Sequence, residues 1–168
     1  MKLRLLLLLF SSLSSLLFAQ SAGDTLPYMK NRELPSFNLL SLDSTEFNTS
    51  HIKEGRKIMM VYFSPNCDHC EQLTTELIQH QDKWTDVEIY MITPLPLLST
   101  LREFDSKYHV SQQKQMHLYQ EPAHLFLDYY GVRSFPYIAL YDEHKMFVKA
   151  FPNGVRFEEL METVTGKK

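Results

Sequence analysis

Cysteine is scarce in this chain. Two occur in 168 residues, and both fall inside one stretch, Cys67-Asp68-His69-Cys70. Two cysteines are too few for a disulfide framework, and no second pair exists to complete a tetrahedral zinc site. An excess of positive charge is also missing. The 17 Lys and Arg stand against 20 Asp and Glu, for a formal net charge of −3, which argues against nucleic acid as a partner. No apolar run reaches the roughly 20 residues that a membrane-spanning helix needs. The nearest is Leu5 to Phe18, and Ser11, Ser12, Ser14 and Ser15 dilute it.

That run follows Met1-Lys2-Leu3-Arg4 and closes with Leu17-Phe18-Ala19. A basic start, an apolar middle and a small residue at the end read as a secretory signal over residues 1–19, cut after Ala19; the alternative is an uncleaved anchor. No cysteine follows it, so a lipoprotein anchor is not expected. Removing Lys2 and Arg4 leaves 15 basic against 20 acidic residues, a net charge of about −5. What remains is about 150 residues, enough for one domain around one core. The expected product is exported, periplasmic or extracytoplasmic, and holds no stable membrane insertion after cleavage. Disulfides can persist in such a compartment.

The mature chain shows no internal repeat or low-complexity tract. Residues 20–36, with Pro27 and Pro35, read as an extended lead-in, and residues 37–168 as the folded domain. Phe37 to Leu42 is a short strand candidate. Lys57 to Phe63 is almost wholly apolar, which suggests a central strand buried on both faces. Asp68 to Lys83 carries helical spacing through Leu73, Leu77 and Trp84. Val87 to Ile92 reads as a strand stopped by Pro94 and Pro96, and Leu97, Leu101, Phe104 and Tyr108 mark a second helix. Met116 to Tyr119 is a brief strand. Pro122 is placed to open a helix through Phe126 and Tyr130, with Gly131 as its cap. Tyr137 to Tyr141 and Met146 to Phe151 form a hairpin, and Phe157 to Val164 a last helix. Alternating strands and helices predict an α/β fold with a central mixed sheet.

A strand that delivers Cys-x-x-Cys to the first turn of a helix makes a dithiol–disulfide centre. Unpaired backbone N–H groups and the helix dipole favour a thiolate at the leading sulfur, and the thiolate is the form that attacks disulfides. Cys67 is the expected nucleophile and Cys70 the resolving sulfur. His69, when protonated, favours the reduced dithiol, while Asp68 opposes a second negative charge; the two offset each other and leave the direction of exchange open. The other six histidines are scattered and read as ordinary surface or partly buried residues.

Three segments resemble the thioredoxin-like superfamily, in its exported TlpA/ResA-type, redoxin-like branch. They are Tyr62-Phe63-Ser64-Pro65-Asn66-Cys67-Asp68-His69-Cys70, Tyr130-Gly131-Val132-Arg133-Ser134-Phe135-Pro136-Tyr137 and Leu34-Pro35-Ser36-Phe37-Asn38-Leu39. The resemblance implies a thioredoxin-like fold, a central mixed β-sheet flanked by helices on both faces. It also implies a cis bond at Pro136 beside the cysteines, with Phe135 presenting backbone groups to a substrate peptide. The activity implied is thiol–disulfide exchange with protein clients and a redox partner protein, by a monomer without cofactor or metal.

The chain departs from the family in three places. Asn66 stands where thioredoxins carry tryptophan, Val61 where they carry a buried acid, and Leu73 where ResA-type enzymes carry glutamate. Glu71 and Glu76 are the substitute carboxylates to consider. Three other readings stay open. One is a copper-handling module, whose relatives separate their cysteines by three residues. Another is a thiol peroxidase, for which Ser64 fits and Met60 does not. The last is a non-catalytic binding domain.

Overall fold

The computed structural model describes residues 25–166, so the expected signal segment lies outside the described residues. Among the described residues, seven strands and five α-helices follow in order. They are α1 (Pro27–Lys30), β1 (Asn38–Leu40), β2 (Glu46–Asn48), β3 (Lys57–Tyr62), α2 (Asp68–Gln79), β4 (Val87–Thr93), α3 (Leu98–Tyr108), β5 (Met116–Gln120), α4 (Leu125–Tyr130), β6 (Tyr137–Tyr141), β7 (Phe147–Phe151) and α5 (Phe157–Thr165). The sheet order is β2-β1-β5-β4-β3-β6-β7. The β3–β4 and β4–β5 pairs are parallel, and β6 runs antiparallel to β3 with Tyr62 opposite Tyr137. The expected mixed sheet is present.

Burial on both faces explains the apolar strands. Met59 and Val61 point into a core beneath α2, α3 and α5, with Leu73, Leu77, Phe104 and Leu160. Ile58, Met60 and Tyr62 point to the opposite face, into an aromatic core with Phe37, Phe126, Tyr130, Tyr137 and Tyr141. Period-two alternation therefore splits one strand between two cores. Each buried Leu, Ile or Phe contributes about 1.5–3 kcal/mol of transfer free energy. Trp84 is 1% exposed and meets Phe157 edge-on, with ring centroids 5.7 Å apart.

Four expectations change. The lead-in is not wholly extended: Pro27–Lys30 forms one helical turn, with Pro at its start. Strand β2 is an addition, short and half-exposed, so no alternation marks it. Helix α2 ends at Gln79, where the His80 ring and backbone amide both meet the Glu76 carbonyl; residues 81–83 form a separate 3-10 turn. Pro122 does not open α4, which begins at Leu125 after a turn. Gly131 does close it, in the left-handed region at φ 63°.

Candidate functional site

Strand β3 runs into the segment 63–66 and hands the chain to α2. Its continuation stays on the sheet, because the Phe63 amide donates to the Ile92 carbonyl at 2.9 Å. Cys67 is the N-cap of α2, with extended backbone (φ −121°, ψ 115°). Its Sγ accepts from the Cys70 amide at 3.3 Å. Its carbonyl accepts from the amides of Cys70 and Glu71 at 2.9 and 3.0 Å. A cysteine thus fills a position usually held by Ser, Thr or Asp, and its sulfur shares the Cys70 amide with its own carbonyl.

The two sulfurs differ sharply in environment. Cys67 is partly exposed, whereas Cys70 is 1% exposed and both are free thiols. Burial pushes the Cys70 thiol well above the usual range, and its hydrogen bond to Cys67 pushes the same way; a backbone hydrogen bond from Ser64 opposes them. Desolvation penalises the charged thiolate here.

The expected proline lies opposite. The Phe135–Pro136 bond is cis. Because Tyr62 pairs with Tyr137, the segments bearing Cys67 and Phe135 leave the sheet side by side. The Cys67 thiol reaches the Phe135 carbonyl at 3.8 Å, a sulfur donor to a backbone acceptor. Ser134 ties this loop to the next one, donating to the Pro152 carbonyl at 2.9 Å.

Beside the cysteines runs a groove of about 540 Å³. His69, Gln72 and Glu76 of α2 form one wall, and the segment from Asn153 to Glu158 the other, with Phe135 and Pro136 between them. His69 therefore faces the groove, while Asp68 is exposed in the first turn of α2. The sequence reasoning missed the second wall. Only the turn residues Pro152-Asn153-Gly154 signalled a loop there.

The substitute carboxylates separate. Glu71 is held by the Lys107 ammonium at 3.0 Å, and the Tyr108 hydroxyl and Lys107 lower its pKa. Glu76 accepts from Gln72 at 3.5 Å and lines the groove. Val61 and Leu73 are buried in the apolar core beneath α2. Among the described residues, no group of three or more His, Cys, Asp or Glu gathers as a metal site. Nor is any helix among them long and apolar enough to cross a membrane.

A second buried polar centre escaped the sequence reading. Glu121 is fully buried on the loop between β5 and α4. Its signal was a lone carboxylate between a strand and a helix that has no Ser, Thr, Asp or Asn cap.

A strand, a Cys-x-x-Cys helix start and a facing cis-proline loop on a mixed sheet define the thioredoxin-like class of α/β proteins. The comparisons agree. The model of the thioredoxin-like domain family matches residues 49–164, and the chain belongs to that family. No curated protein matches it. Among solved structures, dsbF of Mycobacterium tuberculosis is similar at 20% identity and TM-score 0.66, over 79% of this chain and 95% of that one. A secreted disulfide oxidoreductase of the same organism, homologous to E. coli DsbE, is similar at 17% identity and TM-score 0.65, over 77% and 95%. The thioredoxin domain of a Bacteroides vulgatus thiol-disulfide oxidoreductase is similar at 16% identity and TM-score 0.66, over 80% and 94%.

Proposed function

We propose that this protein is an exported thiol–disulfide oxidoreductase that exchanges disulfides with protein substrates through Cys67 and Cys70. The observation that carries the reading is the asymmetry of the pair. Cys67 is accessible at the helix N-cap beside the groove, and Cys70 is buried behind it. The Cys67 thiolate attacks one sulfur of a client disulfide; the other client sulfur leaves as a thiolate and takes up a proton. Cys70 then loses its proton and attacks Cys67 Sγ, forming the Cys67–Cys70 disulfide and releasing the second client thiol. Two electrons and two protons pass to the client, and the reverse sequence oxidises it.

Phe135 and Pro136 bind the client backbone along the groove, and His69 and Asp68 tune the potential of the pair. A redox partner protein regenerates the dithiol or the disulfide. Export is supported by the signal-like residues 1–19 and by the description of one mycobacterial neighbour as secreted.

The test is disulfide exchange with insulin, followed by intact-mass analysis. Cys67→Ala abolishes exchange, and Cys70→Ala accumulates a mixed disulfide on Cys67. Full activity in Cys67→Ala overturns the assignment. Equilibration with glutathione then gives the direction: a potential near about −270 mV marks a reductase and one near about −120 mV an oxidase.

A further inference from the structure

Glu121 is the one fully buried acid among the described residues, and the exchange chemistry does not use it. Its surroundings are specific. The Glu121 amide donates to the Thr93 carbonyl at 2.8 Å, which anchors the residue to the end of β4. Oε1 accepts from the Leu125 amide at 3.1 Å, and Oε2 from the Phe126 amide at 3.2 Å. The Tyr62 hydroxyl donates to Oε2 at 3.2 Å. The carboxylate thus meets three neutral donors from two elements.

Those elements lead into the two segments that carry Cys67 and Phe135. Tyr62 is the last residue of β3, five positions before Cys67. Leu125 and Phe126 open α4, whose end at Gly131 leads in four residues to Phe135. Helix α4 has no side-chain cap of its own, so Glu121 supplies the missing acceptor for its first turn. Ring packing completes the connection. Tyr62 stacks on Phe126 with centroids 4.3 Å apart and planes at 8°, and its ring meets Phe135 at 5.7 Å.

We infer that Glu121 is a positioning residue, whose carboxylate joins the strand delivering Cys67 to the helix delivering Phe135 and so fixes the client-binding backbone against the reactive sulfur. The inference rests on the reading of Cys67 and Phe135 given above. Replacing Glu121 with Gln leaves one acceptor oxygen for donors that now approach two atoms, and the amide NH₂ opposes a backbone N–H. The Tyr62–Phe126–Phe135 stack then loses its anchor. A protein client that needs the Phe135 backbone feels this; a small aromatic disulfide that needs only Cys67 does not.

The experiment compares the full-length parent, Cys67→Ala, Glu121→Gln and Tyr62→Phe in two assays, insulin and 5,5′-dithiobis(2-nitrobenzoate). Glu121→Gln raises KM for insulin about tenfold and Tyr62→Phe about threefold. Reaction with the small disulfide stays within about twofold of the parent in both. If Glu121→Gln does not fold, Tyr62→Phe decides alone, because it keeps the ring and removes only the hydroxyl. A folded variant whose insulin KM matches the parent, even with lowered thermal stability, overturns the positioning role. An equal loss on both substrates overturns it as well. A parent no more active than Cys67→Ala overturns the reading of the site and this inference together, an outcome distinct from the other two.

Discussion

The buried Cys70 thiol makes the stability of the reduced protein depend on pH in a way that can be isolated. An unfolded cysteine ionises near about 8.5, whereas the folded Cys70 thiol is held well above that by burial. Above the unfolded value the native state therefore binds more protons than the unfolded chain, so the contribution is complete below it and falls as pH rises. The slope approaches about 1.4 kcal/mol per pH unit for this single group, and between about pH 8 and pH 10 the loss integrates to about 2 kcal/mol.

Urea unfolding of the protein, kept reduced with a phosphine, measures this directly. The buried tyrosines Tyr62, Tyr130, Tyr137 and Tyr141 also resist ionisation, first through desolvation, and add their own alkaline loss. Cys70→Ala keeps all four tyrosines and removes only the thiol. The gap in unfolding free energy between parent and Cys70→Ala should thus shift by about 2 kcal/mol against the parent over that interval. A gap that stays constant with pH refutes the raised Cys70 thiol.

Two further outcomes test the framework of the site. Leu77, on the inner face of α2, is fully buried, so Leu77→Ala costs about 2–5 kcal/mol in urea unfolding; a loss below about 1 kcal/mol shows that α2 does not depend on this core. Gly131 caps α4 at φ 63°, and a Cβ there would stand 2.9 Å from the Leu26 methyl carbons. Gly131→Ala therefore destabilises by about 1–2 kcal/mol, chiefly through the left-handed backbone, measured the same way, and a neutral result contradicts the left-handed cap.

The centre of the fold was legible because its signals are local. Lys57 to Phe63 is apolar enough to demand burial on both faces, and Cys67 to Cys70 directly follows it. The Gly131 to Tyr137 segment marked the facing loop in the same way. What stayed hidden depends on partners far along the chain. Strand β2 has three residues, none of them buried, and exists through its pairing with β1. The first two amides of α4 meet the Glu121 carboxylate, while Pro122 lies in the turn before the helix. The value of Glu121 comes from Tyr62, 59 positions earlier. Glu71 looked like a free carboxylate in sequence, and only its meeting with Lys107, 36 positions away, shows it engaged.

The lead-in also bears on how the sheet meets other molecules. Strand β7 is the last in the sheet, and such an edge invites pairing with another molecule. Here the chain before β1 lies along its beginning. The Leu34 amide donates to the Lys145 carbonyl at 2.9 Å, and the Phe147 amide to the Arg32 carbonyl at 2.7 Å. Glu33 bridges Met146, and Tyr28 packs on Phe147 with centroids 5.1 Å apart. Residues 32–34 thereby form a selvedge over the first corner of β7, a short finished border at the place where the hairpin turns. A chain trimmed to its apparent domain at residue 37 would keep both cysteines and leave the start of β7 without these partners.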